Sequence, residues 1–227
     1  MTQKFRHRKT KNMTAWTTND NQPSWLTEGS TDSNEVADFY DSWAETYDEH
    51  LKKWDYRAPT YAAELLQEYV SPGQAILDAG CGTGLTGKAL NLAGFKDISG
   101  IDISTTSLNK ADQLNIYSSL LAHDIQQPLP FPENNYDALI CIGVLTYIKN
   151  YQSLFKEFCR IVRSGGYIAF SQRSDLFDAR CFPDIIATLE DEGIWENIKI
   201  SSPQAYLPQN KDFSDKVQAI FCICKVT

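Results

Sequence analysis

Ala75-Ile76-Leu77-Asp78-Ala79-Gly80-Cys81-Gly82-Thr83-Gly84 is a short apolar run that ends at an acid and opens into three glycines at alternate positions. The pattern predicts a buried strand breaking into a tight turn before a helix that begins near Leu85. Glycines there let backbone approach a ligand closely. The helix N-terminus beyond them favours a negative or electron-rich group.

Two cofactor registers compete for this turn. Gly82-Thr83-Gly84-Leu85-Thr86-Gly87 matches G-x-G-x-x-G, and Asp102 lies where a dinucleotide fold places its ribose-binding acid. That register runs the strand into Gly82 and leaves Asp78 inside it, where an unpaired carboxylate is costly. The other register ends the strand at Asp78 and makes Gly80, Gly82 and Gly84 the loop, so that the acid faces the cationic end of the ligand.

At 227 residues, with 42% hydrophobic residues, the chain is long enough for one sizeable core. A net charge of −8 argues against a phosphate-tracking face, since nucleic-acid binding relies on clustered Lys and Arg. A small-molecule substrate is therefore expected, with no nucleic-acid partner. No apolar run reaches the roughly 18 residues needed to span a bilayer, and no signal-peptide core is visible. A cytoplasmic protein without membrane contact is the expectation; the oligomeric state is not legible. Cys141, Cys159, Cys222 and Cys224 sit in apolar elements, Cys81 in the glycine loop and Cys181 on an expected helix, without paired ligand spacing. His7, His50 and His123 are scattered, so no metal site is expected.

Residues 1–33 read as a basic, Thr- and Asn-rich tail, either disordered or a targeting segment. Residues 34–227 read as one domain. From Asn34, the residues Val36, Phe39, Tyr40, Trp43, Tyr47, Leu51 and Trp54 recur at helical spacing, giving an aromatic face opposite Asp38, Asp41, Glu45, Asp48 and Glu49. A second helix follows Pro59, and the two (about 34–70) form an expected helical lid. Beyond the glycine loop, strands at Ile98–Asp102, Leu120–Ala122, Tyr136–Ile142 and Tyr167–Phe170 alternate with helices, which implies a parallel sheet. A helix from about Asp184 to Glu192 precedes two strands, Trp195–Ile200 and Val217–Val226. Joined without a helix, these two should pair antiparallel at an edge.

Asp78, Asp102 and Asp124 then fall at the C-terminal ends of three consecutive strands, where open α/β sheets bind ligands. Asp102 alone could be a helix cap beside Ser104. Together the three suit a molecule with a cationic centre, ribose hydroxyls and an exocyclic amine.

The segments 76–84, 100–104 (Gly-Ile-Asp-Ile-Ser), 123–125 (His-Asp-Ile), 137–145 (Asp-Ala-Leu-Ile-Cys-Ile-Gly-Val-Leu) and 163–166 (Arg-Ser-Gly-Gly) resemble the successive motifs of class I S-adenosylmethionine-dependent methyltransferases. Tyr40 to Asp48, Tyr56-Arg57-Ala58-Pro59 and Gly193-Ile194-Trp195-Glu196 resemble, within that superfamily, the methyltransferase-like proteins named for the Williams-Beuren syndrome chromosome region. The resemblance implies a Rossmann-like, seven-stranded, mostly parallel sheet with helices on both faces and an antiparallel C-terminal edge strand.

It also implies S-adenosyl-L-methionine as cofactor. Asp78, Gly80, Cys81 and Gly82 would line its methionine half, Asp102 and Ile103 the ribose and adenine, and Asp124 and Ile125 the adenine ring. Cys141 with Ile142 would form the floor below the methyl group. Tyr56 and Arg57 would close the pocket, unless Arg57 forms a surface ion pair instead. Ser164 stands where the family usually has proline, and Tyr147 where many relatives carry His. Tyr147, His123 and Tyr206 are candidate bases by position, and the catalytic residue is not identified. Cys141-Ile142-Gly143-Val144 replaces the Pro-Pro-Tyr motif of adenine-N6 methylation, and no paired-glutamate loop marks a protein arginine methyltransferase. A non-catalytic cofactor-binding scaffold and a protein methyltransferase are the alternative readings.

Overall fold

The computed structural model describes Trp25, Leu26 and residues 29–214 and 216–227. Most of the expected tail lies outside the described residues. Its described end is packed: the Trp25 ring stacks on Phe39 with centroids 4.5 Å apart, and Leu26 is buried.

Helix α1 (Ser33–Lys53) starts at Asp32, whose carboxylate accepts from the N–H groups of Asn34 and Glu35. Phe39, Trp43 and Leu51 on one face are buried together with Leu207, Phe213 and Val217. Fully burying a large apolar side chain contributes about 1.5–3 kcal/mol, so this face anchors the helix. α2 (Ala58–Gln67) follows a break at Trp54 to Arg57, in which Asp55 takes the left-handed conformation (φ +57°).

The central strands β1 (Ile76–Ala79) and β4 (Tyr136–Cys141) pair in parallel, Ile76 opposite Ala138. On the other side of β1 lie β2 (Ile98–Asp102) and then β3 (Ser119–Ala122), reached through α3 (Leu85–Leu92) and α4 (Thr105–Gln113). After β4 come α5 (Tyr151–Ile161), β5 (Val162–Arg173), α6 (Ser174–Ala179), α7 (Phe182–Asp191), β6 (Trp195–Ile200), the two-residue β7 (Gln204–Ala205) and β8 (Gln218–Val226). The sheet order is β3-β2-β1-β4-β5-β8-β6, with β7 paired to β8. The seven expected strands are present and β7 adds an eighth. The C-terminal pair is antiparallel at one edge, with β8 inside and β6 outermost. Strand order reverses between β1 and β4, which opens a crevice at their C-terminal ends.

β1 is buried on both faces, as a central parallel strand must be. Leu77 and Ala79 join one core with Phe155, Phe170 and Trp195; Ile76 joins the other with Leu66, Leu90 and Phe221. β5 is longer than the sequence predicts, because α5 runs into it without a loop. Gly166 fits there only as glycine, since a Cβ would stand 2.5 Å from the Asp137 carbonyl oxygen. α6 carries no helix signature of its own and was not expected.

Candidate active site

The glycine loop turns under two constraints. Gly80 (φ +78°) has no room for a side chain, since a Cβ would meet Val144 at 2.3 Å. Gly82 (φ +52°) has open space where a Cβ would stand, and its N–H donates to Asp102 Oδ2 at 2.8 Å. Gly87, the last glycine of the dinucleotide-like match, serves packing: a Cβ there would lie 2.2 Å from the Tyr117 hydroxyl. The same ring crowds the Cβ positions of Gly84 and Gly100, at 3.2 and 3.0 Å. These glycines make room for one tyrosine beneath the loop. β1 runs one residue past Asp78, to Ala79, so the acid expected at the strand end is the last but one strand residue and is buried.

The three strand-end acids have different surroundings. Asp78 is fully buried; the Tyr117 hydroxyl donates to its Oδ2 at 2.8 Å and its Oδ1 has no partner among the described residues. Burial pushes its pKa up to about 7, while the Tyr117 hydrogen bond pulls it down. Asp102 accepts from the N–H groups of Gly82 and Ser104, both at 2.8 Å, so burial raises its pKa and these donors oppose the rise. Asp124 accepts from Ser33 Oγ at 2.6 Å and from the Gln126 N–H at 2.9 Å.

Gly80, Gly82, Asp102, Ile103, Asp124 and Ile125 line one cavity at the ends of β1, β2 and β3. Ile142 joins them from the end of β4, and Tyr40, Tyr47 and Tyr147 wall the far side. Five expected site residues lie elsewhere. Asp78 is sealed behind the loop. The Cys81 thiol turns toward Gly100, and strand alternation sends Cys141 into the core with Leu139 and Phe170, so it is no cavity floor. Burial pushes both thiols up. Tyr56 stands behind the wall, its hydroxyl 2.8 Å from where a Gly143 Cβ would be. Arg57 points to solvent, 75% exposed, in an ion pair with Asp55 at 2.7 Å, and does not reach the cavity.

Of the candidate bases, Tyr147 and His123 line the cavity and Tyr206 does not. Tyr147 accepts the Tyr40 hydroxyl at 2.9 Å, and burial holds both phenols above their ordinary range. Tyr206 is likewise pushed up, and the His123 ring lies 3.1 Å from the Pro128 carbonyl oxygen.

Sequence reasoning missed how α1 is tied down. Ser33 donates to Asp124 after β3, Asp41 accepts from Ser104 Oγ (2.6 Å) and the Thr106 N–H (3.1 Å) after β2, and Asp48 accepts from Thr83 Oγ1 (2.5 Å) after β1. One helix thus bonds to all three loops of the crevice. The signal was available: Asp41 and Asp48 are seven residues apart, like Tyr40 and Tyr47 beside them, a spacing that returns to one helix face.

A family profile described as a methyltransferase domain matches residues 77–170. Methyltransferase-like protein 27 of Homo sapiens is 32% identical over 168 residues, covering 70% of this chain and 68% of its own. The 2-methyl-6-phytyl-1,4-hydroquinone methyltransferase of Synechocystis is 25% identical over 169 residues, 63% of this chain; the chain spans about half (53%) of that relative. Among solved structures, geranyl diphosphate C-methyltransferase from Streptomyces coelicolor A3(2), crystallised with S-adenosyl-L-homocysteine, superposes with a TM-score of 0.57 at 15% identity, over 74% of this chain and 79% of its own. At that identity the likeness shows the fold.

Proposed function

The chain belongs to the class I S-adenosylmethionine-dependent methyltransferases, and from that premise we propose that it transfers the methyl group to a small-molecule acceptor. The observation that carries this reading is a cavity that joins the glycine loop, Asp102 and Asp124 to the tyrosine face of α1.

The residues present fit the cofactor. Gly82 leaves open space where any side chain would intrude. Asp102 keeps lone pairs for two ribose hydroxyls after taking its two backbone donors, and Asp124 can accept from the exocyclic adenine amine. Ile103 and Ile125 offer apolar contact to the adenine ring, and Gly80 and Gly82 let backbone approach the methionine half. When bound, the cofactor supplies a methyl group already activated on a sulfonium. The chain's task is therefore to orient an acceptor and exclude water, which is worth up to about 7–11 kcal/mol in favourable cases. Tyr40, Tyr47 and Tyr147 wall the acceptor end, and α1 covers it.

A small acceptor agrees with a cavity roofed by a helix, with the net charge of −8, and with the hydroquinone named for the Synechocystis relative. A cytoplasmic location without nucleic-acid partners belongs to the same reading; among the described residues, no helix is long and apolar enough to cross a membrane. Incubation with methyl-labelled S-adenosylmethionine and fractionated cell extract tests it. Label should enter the low-molecular-weight fraction. Label confined to protein or nucleic acid would overturn the small-molecule assignment.

A further inference from the structure

The acceptor end of the cavity has an unusual charge balance. Tyr40 meets Tyr47 edge-on at 6.0 Å between centroids and Tyr147 at 5.7 Å, so three rings bound one space. A second edge-on pair, Tyr56 and Tyr206 at 5.7 Å, packs on the same cluster as Tyr40 and Tyr47. The two lining carboxylates, Asp102 and Asp124, belong to the cofactor end, and no Lys or Arg lines the cavity among the described residues. Arg173, whose charge acts on Tyr147 and Tyr206, is 5% exposed; it is paired with Asp175 and lies 5.3 Å from the Phe213 ring centroid.

We propose that this tyrosine-walled end selects an amine, so that the methyl acceptor is a nitrogen bound as its free base and released as a methylated ammonium. The proposal rests on the methyltransferase reading above and names its acceptor class. The nitrogen lone pair forms the new N–C bond to the methyl carbon. The S–C bond breaks with its electron pair left on sulfur, and the nitrogen keeps any N–H it had, so the product leaves as a methylated ammonium. Positive charge passes from sulfur to nitrogen within the same tyrosine-walled space, where aromatic quadrupoles favour a cation.

Other acceptor classes fit less well. A carboxylate or phosphate would enter a space that no Lys or Arg lines among the described residues, where an unpaired charge is costly. A neutral phenol would need its proton removed. The hydroxyls of Tyr40, Tyr47 and Tyr147 are held above their ordinary range by burial and so stay protonated, and His123 lies at the end of β3, next in sequence to the acid assigned to the adenine. An amine with a free lone pair needs neither a countercharge nor a base.

The test is binding, measured by calorimetry on the full chain saturated with S-adenosyl-L-homocysteine. The probes are phenyltrimethylammonium, its neutral isostere tert-butylbenzene, and benzoate. The cation should bind about tenfold more tightly than the isostere, and benzoate should bind more weakly than either. Tyr47→Leu should weaken binding of the cation and leave that of the isostere little changed, whereas Tyr47→Phe, which keeps the ring, should retain most of the preference. Equal binding of cation and isostere, or tighter binding of benzoate, would overturn the proposal. The initial titration with S-adenosyl-L-homocysteine reads the cofactor assignment separately, so failure of the amine class is distinguishable from failure of the methyltransferase reading.

Discussion

The Tyr117 hydroxyl donates to Asp78 Oδ2 at 2.8 Å beneath the glycine loop, joining the end of β1 to the start of β3. Asp78 has no contact with solvent and its Oδ1 has no partner among the described residues, so the Tyr117 hydroxyl, with the Gly87 N–H, offsets part of the cost of burying the carboxylate. The pair underlies the loop that faces the cofactor.

Folded Asp78 holds its proton more tightly than the unfolded chain does. The stability linked to that proton is full below the ordinary carboxylate pKa of 3.8 and is lost as pH climbs through about 7. Tyr117→Phe removes a hydrogen bond that opposes the shift, which moves the loss further upward in pH. Urea melts should show the variant destabilised by about 2 kcal/mol at pH 8 and by clearly less at pH 5. A difference independent of pH would separate Tyr117 from Asp78 ionisation.

Gly82 and Gly87 should respond differently to a methyl group. Gly87→Ala drives a Cβ into the Tyr117 hydroxyl and should cost about 1–3 kcal/mol of stability, part of it recovered in the double variant with Tyr117→Phe. Gly82→Ala meets nothing in the protein, so beyond the strain of its positive φ the loss should fall on cofactor affinity. Melts and calorimetry on the same samples separate the two. Equal loss of affinity in both variants would place Gly87 in the cofactor site.

Asp102→Ala should weaken S-adenosyl-L-homocysteine binding by about 1.5–3 kcal/mol, through lost charge-assisted contacts and an unsatisfied Gly82 N–H. NAD should not bind measurably to either form. Unchanged affinity in the variant would confine Asp102 to its role in fixing the Gly82 and Ser104 turns.

The legible parts of this molecule are those whose signal is local. Strand, glycines and acid stand consecutively from Ile76 to Gly84, and each strand-end acid precedes its own loop, so the sheet and the residues that line the cavity at the ends of β1, β2 and β3 could be read directly. Tyr117 reaches Asp78 across 39 positions and Tyr147 reaches Tyr40 across 107, so neither contact leaves a periodic trace. Arg57 misled because it sits beside a motif. Its partner Asp55 is two residues away, and that short-range pairing holds the guanidinium at the surface. Cys141 misled for a different reason: the end of a strand reaches the crevice, but alternation decides which residue faces it, and here that residue is Ile142.

The lid assignment turns on a competition within α1. Its aromatic face is anchored, with Trp43 2% exposed against Phe213 and its neighbours, while its polar edge is bonded through Ser33, Asp41 and Asp48 to the three loops that surround the cavity. The apolar anchor alone would keep the helix folded at all times. The polar bonds join it to the three loops around the cavity, and the chain breaks at Asp55 (φ +57°) between α1 and α2. If α1 acts as a lid, hydrogen exchange should slow across residues 33–53 when S-adenosyl-L-homocysteine binds, with little change in β1 or β4. The double variant Asp41→Ala with Asp48→Ala should exchange faster than wild type in the free state and recover only part of its protection on binding. If α1 is already as protected as β4 without ligand, and the double variant leaves it so, the helix is permanent core and access to the cavity must open elsewhere.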